Sequence, residues 1–291
     1  MATRTERRRV LRISGPGTAA HRADMLAVEE PLEIRIGGTP LTVTMRTPGD
    51  DIDLAAGFLF CEGLLNPPAD LRQIRMCDEN VADVTLEPSA LPVAQQSQAP
   101  EPQQSQQPPW SREARQARRN FLTTSACGVC GKESIDAIRV KSRYDLTRDD
   151  VQVAPGVLTS LPGRLRDAQR VFASTGGLHA AGLFTPDGTL LVLREDVGRH
   201  NAVDKIVGWA LREGRLPLAG HVLLVSGRAS FELVQKAYMA GIPVLAAVSA
   251  PSSLAVGLAD EAGMTLVGFL RGTSMNAYTG AHRLITVPAP A

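Results

Sequence analysis

The chain has 291 residues, of which 44% are hydrophobic and 21% are charged. This composition is typical of a globular protein that buries its core without disulfides or a structural metal. The 31 Lys and Arg residues against 30 Asp and Glu leave a formal net charge of +1, which disfavours nucleic acid and anionic membrane surfaces as partners. No apolar stretch has the length of a transmembrane helix. These features predict a cytoplasmic protein.

The N-terminus is rich in arginine and superficially resembles a twin-arginine export signal. Residues 13–17, Ile-Ser-Gly-Pro-Gly, follow the arginines where such a signal would have its apolar segment. We therefore predict no export and interpret this region as a solvated basic tail. The arginines are Arg4, Arg7, Arg8, Arg9 and Arg12.

Residues 1–88 predict a small N-terminal α+β subdomain. Residues 32–36 and 41–45 alternate as strands do around a Gly-Gly turn, and residues 81–86 form another strand-like run. Residues 52–63 have helical spacing. Residues 89–120 are rich in Gln and Pro and offer little to bury, so we expect a flexible insertion there.

Residues 121–291 predict a three-layer α/β domain with a largely parallel sheet. Apolar runs alternate with helical stretches over short connections. The predicted strands are residues 171–174, 190–193, 222–225, 244–248 and 265–269. The predicted helices are residues 158–169, 201–211, 231–240 and 253–262. Ligands of such sheets bind beyond the carboxyl ends of the strands.

Four cysteines occur, and two of them form a Cys-x-x-Cys pair, Cys127 and Cys130. The neighbouring glycines allow close approach of another molecule, and Lys132 at the start of a helical stretch favours the thiolate. A thiolate is the form that attacks a persulfide or a disulfide. Cys61 and Cys77 are interpreted as buried structural thiols.

Two other readings of the cysteine pair remain. A structural zinc site would need four ligands, and Cys61 and Cys77 lack a paired spacing to complete it. A thioredoxin-like site would place the pair just after a strand of an early βαβ unit, whereas here it follows the Gln/Pro-rich segment.

Two polar clusters follow predicted strands. His179 stands after a glycine pair, where a structural hydrogen-bonding role and a functional role are equally compatible with the sequence. Asp196, Arg199, His200 and Asn201 lie between a strand and a helix, where ligand-binding loops occur. The alternative is that Asn201 caps the helix and the charges pair on the surface.

Three further strand ends predict a pocket for a phosphate-rich nucleotide, and one of them leads through Pro251-Ser252-Ser253 into a helix. Ser226, Gly227 and Arg228 form a turn between a strand and a helix, where helix N-terminal amides and an arginine bind phosphate. The segment lacks the Gly-Lys-Ser/Thr of a P-loop. Arg271 and Gly272 follow the last long strand and complete the predicted pocket.

As a set, these motifs resemble the FdhD family of formate dehydrogenase accessory sulfurtransferases. The matching stretches run in family order over about residues 121–279 and read TTSACGVCGKESID, STGGLHAAG, REDVGRHNAVDK, VSGRASFE, PVLAAVSAPSSLAV and GFLRGTSMNAYT. PGDDIDLAAGFLFCEGLL extends the resemblance into the first part of the chain. The Gln/Pro-rich insertion has no family counterpart.

The resemblance implies a sulfur carrier. A cysteine desulfurase would pass sulfur to Cys127, and Cys130 would assist the transfer or resolve the persulfide. The cargo would be the molybdenum bis-molybdopterin guanine dinucleotide cofactor, so a GDP-like nucleotide should occupy the same site. The family's cofactor-binding stretch matches Phe269, Leu270, Arg271, Gly272, Thr273 and Ser274. Ser226, Gly227, Arg228 and His200 are expected to complete the site.

The resemblance also implies formate dehydrogenase as the client, a homodimer, and a larger domain with the cytidine deaminase fold. A zinc deaminase would require His-x-Glu before Pro-Cys-x-x-Cys. Here the cysteines precede the histidine, and Ala180 and Ala181 follow His179, so the deaminase chemistry is missing. His179 and His200 are both candidates for handling protons. A chaperone that binds the cofactor-bearing enzyme without transferring sulfur remains an alternative.

Overall fold

The structure is a computed structural model that describes residues 3–15, 17–65, 70–87 and 142–285. Its first element is a separate antiparallel ribbon of β1 (Thr5–Ile13) and β2 (Ala19–Ala27). The prediction of a basic tail is therefore wrong. The ribbon's side chains are exposed or partly exposed on both faces, so the apolar–polar alternation that marks most strands is weak in its sequence.

A second sheet forms the small N-terminal unit. Its strands are β3 (Glu30–Ile36), β4 (Thr39–Arg46), β5 (Leu71–Asp78) and β6 (Val81–Leu86), in the order β4-β3-β6-β5. Leu32, Ile34 and Ile36 alternate into the core, where they pack with Leu54 and Leu59 of helix α1 (Asp51–Cys61). This is the predicted α+β arrangement, with the edge strand β5 added.

The main sheet has six strands in the order β12-β11-β10-β9-β7-β8. They are β7 (His179–Phe184), β8 (Leu190–Asp196), β9 (Val222–Val225), β10 (Val244–Ala247), β11 (Thr265–Arg271) and β12 (Ser274–Thr279). Only two of the sheet's pairings, β9 with β10 and β10 with β11, are parallel. The expectation of a largely parallel sheet is corrected to a mixed one, because short turns join β7 to β8 and β11 to β12, and such turns can connect only antiparallel strands.

Helices cover both faces of this sheet and confirm the three layers. The helices are α2 (Pro155–Ala168), α3 (Arg170–Thr175), α4 (Arg199–Arg212), α5 (Phe231–Met239) and α6 (Ser253–Glu261). Leu158 and Leu161 of α2 pack on one face with Val222 and Val244. Helices α4, α5 and α6 pack on the other face, where Leu223 and Leu245 point. No described helix is both long and apolar enough to cross a bilayer.

The prediction of a strand at residues 171–174 is wrong, since these residues belong to helix α3. The Glu195 carboxylate accepts hydrogen bonds from the backbone N–H groups of Val171 (3.0 Å) and Phe172 (2.7 Å) at the start of this helix. A carboxylate at a helix N-terminus satisfies N–H groups that have no partner inside the helix. A side chain 24 residues away in sequence thus outweighs the β propensity of this short run.

The two units are joined by helices α1 and α4, which touch at Gly57 and Gly208. A Cβ at Gly57 would overlap the carbonyl oxygen of Asp204, and a Cβ at Gly208 would overlap that of Asp53. Only glycine permits this backbone approach. The predicted boundaries at residues 88–121 lie outside the described residues.

The two isolated cysteines differ in burial. Cys61 is buried at the end of α1, and burial raises the pKa of its thiol well above the ordinary value. Cys77 is exposed on β5, so its interpretation as a buried thiol is wrong. Strand β5 is at the edge of its sheet, and Cys77 falls on the outward side of the pleat.

Candidate functional site

Most predicted site residues lie along one edge of the main sheet, which we call the carboxyl edge. Strands β8 to β11 end there, and the antiparallel strands β7 and β12 begin there. Helices α4, α5 and α6 also start at this edge. Because their N-terminal N–H groups carry partial positive charge, the edge favours anions.

A row of backbone contacts connects the predicted segments along the carboxyl edge. Ser249 N donates to Gly227 O, and Phe269 N donates to Ser249 O, each over 3.2 Å. On the other side of Gly227, the His179 Nδ1 lies 3.5 Å from the position that a Cβ would occupy on this glycine. The structure therefore brings His179, Gly227 and Phe269 into one continuous site.

The turn after β9 is fixed by Ser226. Its backbone N–H donates to Ala180 O, and its hydroxyl accepts from Ala180 N, each over 2.9 Å. The serine is thus used to hold β9 beside β7. Gly227 is partly exposed and Arg228 is exposed, so the backbone and the guanidinium face solvent at this turn.

The last part of β11 contains a strained residue. Phe269 has a φ of 54°, a value that bulky side chains rarely adopt, and it stands at an irregularity in the β11–β12 pairing. Such strain concentrates at functional sites. The Arg271 guanidinium lies 5.7 Å from the Phe269 ring centroid, within the range of a cation–π contact.

The other residues of this predicted stretch differ in what they can offer a ligand. Leu270 is only 1% exposed and packs in the core, so it offers almost no surface to a ligand. Gly272, Thr273 and Ser274 are exposed, and the Ser274 hydroxyl donates to Arg271 O over 3.1 Å.

The loop after β8 is held by a buried carboxylate, that of Asp196. It accepts hydrogen bonds from Gly198 N (2.8 Å), Asn201 Nδ2 (3.0 Å), Thr47 N (3.2 Å) and Lys205 Nζ (2.7 Å). Asp196 is therefore a structural anchor that supports the first residues of helix α4.

Lys205 and Thr47 have structural roles that the sequence did not predict. Lys205 Nζ also donates to Thr47 O over 2.9 Å, and Asn201 Nδ2 donates to Met45 O over 2.8 Å. The only sequence signal is a lysine within the otherwise apolar or small run from 202 to 210, interrupted also by Asp204. This set of contacts, which we call the buried bracket, ties the N-terminal unit to the carboxyl edge.

His200 is held by the start of helix α5. Its Nε2 lies 2.7 Å from Glu232 Oε2 and 3.2 Å from Ser230 Oγ. The imidazole is therefore bridged between α4 and α5, which sets the separation of these two helix N-termini.

Arg199 supplies an unsatisfied donor at the same place. Its Nε is buried and has no hydrogen-bond partner among the described residues. Helix α4, which it begins, has no side-chain cap on its N-terminal N–H groups. An anionic ligand oxygen would satisfy both kinds of donor.

The described residues contain no group of three or more His, Cys, Asp or Glu side chains that could hold a metal ion. Cys127 and Cys130, the predicted sulfur-carrying pair, lie outside the described residues, so their prediction is untested by the structure.

Comparison with known proteins gives one family. The FdhD/NarQ family model matches residues 27–285. The "Sulfur carrier protein FdhD" of Nocardia farcinica is 56% identical over 98% of this chain and 96% of its own length. The protein of the same name from Sulfolobus acidocaldarius is 41% identical over 92% of this chain and 94% of its own length.

A solved structure from Desulfotalea psychrophila, named a "putative formate dehydrogenase accessory protein", has a TM-score of 0.73 and 23% identity. The similarity covers 97% of this chain and all of that one, and it supports the fold. The chain belongs to the FdhD/NarQ family.

Proposed function

We propose that this chain is a sulfur carrier for formate dehydrogenase, which takes sulfur from a cysteine desulfurase on Cys127 and delivers it to the molybdenum bis-molybdopterin guanine dinucleotide cofactor. Family membership and the names of the relatives support the sulfur-carrying role. A cytoplasmic location, expected from the sequence features, and a homodimer, which rests on the resemblance alone, are part of the same proposal.

The binding of the guanine dinucleotide cofactor is supported by one observation, the concentration of anion-binding groups at the carboxyl edge. Three helices begin there. Arg199 is the first residue of α4, Arg228 precedes α5, and Arg271 ends strand β11 at the same edge. The buried Arg199 Nε lacks a partner among the described residues, and Gly227, next to the His179 ring, carries no side chain. Helix N-termini and guanidinium groups are suited to the phosphates of a guanine dinucleotide.

The remaining predicted residues have roles that follow from their positions. Phe269 offers a ring face, and the exposed residues 271–274 offer polar groups beside it. Ser226 and His200 position the turns that surround the site, because each is engaged with a neighbouring strand or helix.

The sulfur step is a thiol exchange. The Cys127 thiolate attacks the terminal sulfur of the desulfurase persulfide, a new S–S bond forms on Cys127, and the desulfurase cysteine leaves as a thiolate. No oxidant is consumed. Cys130 can then attack the Cys127 persulfide, release the terminal sulfur as hydrosulfide and close a disulfide, which a thiol reductant must reopen.

The test is mass spectrometry of the reduced protein after incubation with a cysteine desulfurase and cysteine. We expect an adduct of about 32 Da, one sulfur atom in a reversible persulfide, on the Cys127 peptide. Cys127→Ala should abolish it, and Cys77→Ala, which removes the exposed thiol of β5, should retain it. An adduct that persists in Cys127→Ala would contradict the assignment, and absence of any adduct in the wild-type protein would favour the chaperone alternative.

The cargo site is tested with GDP as the probe. Arg228→Ala should weaken GDP binding by about 10-fold or more, since a charged hydrogen bond contributes about 1.5–3 kcal/mol. Isothermal titration calorimetry measures this directly. Arg148→Ala removes an exposed arginine at the other end of the sheet and serves as the control. An unchanged affinity in Arg228→Ala would remove this residue from the site.

A further inference from the structure

Two histidines lie at the carboxyl edge, and they differ in what their rings contact. His200 Nε2 is engaged by Glu232 and Ser230. The ring of His179 makes no hydrogen bond or ion pair to any residue within the described ranges. A ring nitrogen without a partner is either buried and unsatisfied or open to solvent. Neither nitrogen of His179 is buried and unsatisfied, so both are accessible. Of the two imidazoles, only that of His179 is available to a bound molecule.

The position of His179 places it against the part of the site that is open. It begins β7, pairs with Asp196 across β8, and faces Gly227 with its Nδ1. Among the described residues other than its chain neighbours, only the His179 ring comes within 4 Å of the position that a Cβ would occupy on Gly227. A ligand that lies on the Gly227 backbone would contact the His179 ring.

The charges around His179 favour the neutral imidazole. Partial burial lowers the pKa of His179 below its ordinary value, and the positive charges of Arg199 and His200 lower it further. Asp196 acts in the opposite direction, but its carboxylate is already engaged by Lys205. A neutral imidazole has one unprotonated nitrogen and can accept a proton.

The carboxylates and the lysine near this position are committed elsewhere. Asp196 and Lys205 form a fully buried pair, with side chains 0% and 1% exposed. Glu232 is bound to His200. Of these imidazole and carboxyl groups at the described part of the carboxyl edge, His179 is thus the one that is both accessible and free of a protein partner.

We propose that His179 is the proton acceptor of the carboxyl edge, taking the proton from a thiol or persulfide S–H group brought to the Gly227 backbone, while His200 positions the neighbouring helices. This inference rests on the proposed sulfur-carrier function and assigns a catalytic residue within it. In the step, the S–H bond breaks, its electron pair stays on sulfur, and an N–H bond forms on the imidazole. The resulting imidazolium lies beside Arg199, which promotes return of the proton to water.

The experiment compares His179→Gln with the wild-type protein in activation of apo-formate dehydrogenase by sulfur-loaded carrier, as a function of pH. We expect the transfer rate to fall by about 10²- to 10⁴-fold, the usual contribution of a positioned acid–base group. Loading of Cys127 should stay within about 2-fold of the wild type, and GDP affinity should fall by much less than the transfer rate, because binding alone does not require the proton acceptor. His221→Gln, at the opposite end of β9, is the matched control and should keep the wild-type rate and pH profile.

The pH profile separates proton transfer from a structural role. Wild-type transfer should decline on the acid side as His179 becomes protonated, and this limb should be absent from the residual activity of His179→Gln. Arg199→Gln should move the acid limb to higher pH, since removing the adjacent positive charge raises the pKa of His179. A purely structural histidine would change the rate without moving the limb.

The possible outcomes distinguish failure of the inference from failure of the proposed function. If the wild-type carrier delivers sulfur and His179→Gln does so at the same rate and with the same profile, the inference fails and the proposed function stands. If His179→Gln does not fold, His179→Asn and the Arg199→Gln profile provide the test, and an unmoved acid limb overturns the inference. If the wild-type carrier delivers no sulfur, the proposed function and the inference fail together.

Discussion

Ion pairs of nearly equal length occur in two regions of this molecule with different environments. In the buried bracket, Lys205 Nζ lies 2.7 Å from Asp196, and the two side chains are 1% and 0% exposed. In the β1–β2 ribbon, Arg8 Nε lies 2.8 Å from Glu6, with side chains 63% and 53% exposed. Water and dissolved ions screen the second pair and are excluded from the first.

The comparison teaches that an ion pair's distance says little about its contribution to stability. An exposed pair contributes about 0–1 kcal/mol, whereas removal of one partner from a buried pair costs about 3–5 kcal/mol because the remaining charge is left without compensation. The bracket joins residues about 150 positions apart and supports the carboxyl edge. The charged side chains of the ribbon, including its exposed arginines, remain solvated.

The largest effect should come from breaking the bracket. Lys205→Met should lower the free energy of unfolding by about 3–5 kcal/mol, because it leaves the Asp196 carboxylate buried without a cation. Urea unfolding followed by circular dichroism measures this. Adding Asp196→Asn to Lys205→Met should recover part of the loss, as expected for directly coupled residues. If Lys205→Met alone were as stable as the wild-type protein, water would have to reach the Asp196 carboxylate, and the bracket would not be a buried ion pair.

An intermediate effect should come from the contact of α1 with α4, which lies beside the bracket. Gly57→Ala should destabilise the protein by about 1–3 kcal/mol, since the new methyl group overlaps the Asp204 carbonyl and the helices must separate. Thermal unfolding is a suitable measurement. Gly257→Ala, in helix α6 with open space around it, is the control and should instead stabilise by about 0.5–1 kcal/mol. Equal behaviour of the two variants would contradict the close approach.

The smallest effect should come from the ribbon. Arg8→Met should change the free energy of unfolding by less than about 1 kcal/mol, because its pair with Glu6 is solvated. Urea unfolding, measured as for Lys205→Met, compares the two substitutions directly, since each replaces a cation with methionine. A loss as large as that of Lys205→Met would show that the ribbon's charges are buried against another molecule.

Much of the fold was predictable from local patterns. The strand at residues 222–225 was predicted with its observed ends, and the helices at residues 201–211, 231–240 and 253–262 differ from the structure by one or two residues at an end. The carboxyl edge was also predictable as a place, because the polar and glycine-rich segments follow buried strands in sequence.

The errors have a common physical origin. The segment 171–174 looks like a strand locally, and the distant carboxylate of Glu195 makes it helical. The ribbon lacks a buried face, so its sequence carries little periodicity. Cys77 was placed in the core from its residue type, although its strand lies at an edge.

The sequence by itself determined the family motifs, the α/β layering and the segments that meet at the site, because these depend on local spacing and residue type. Only the tertiary structure decided which charges are buried and which histidine is free. Lys205 becomes a structural cation through Thr47 and Asp196, and His200 loses its availability to Glu232. Burial and hydrogen-bond partners arise from elements far apart in the chain, and the pattern of a single segment does not contain them.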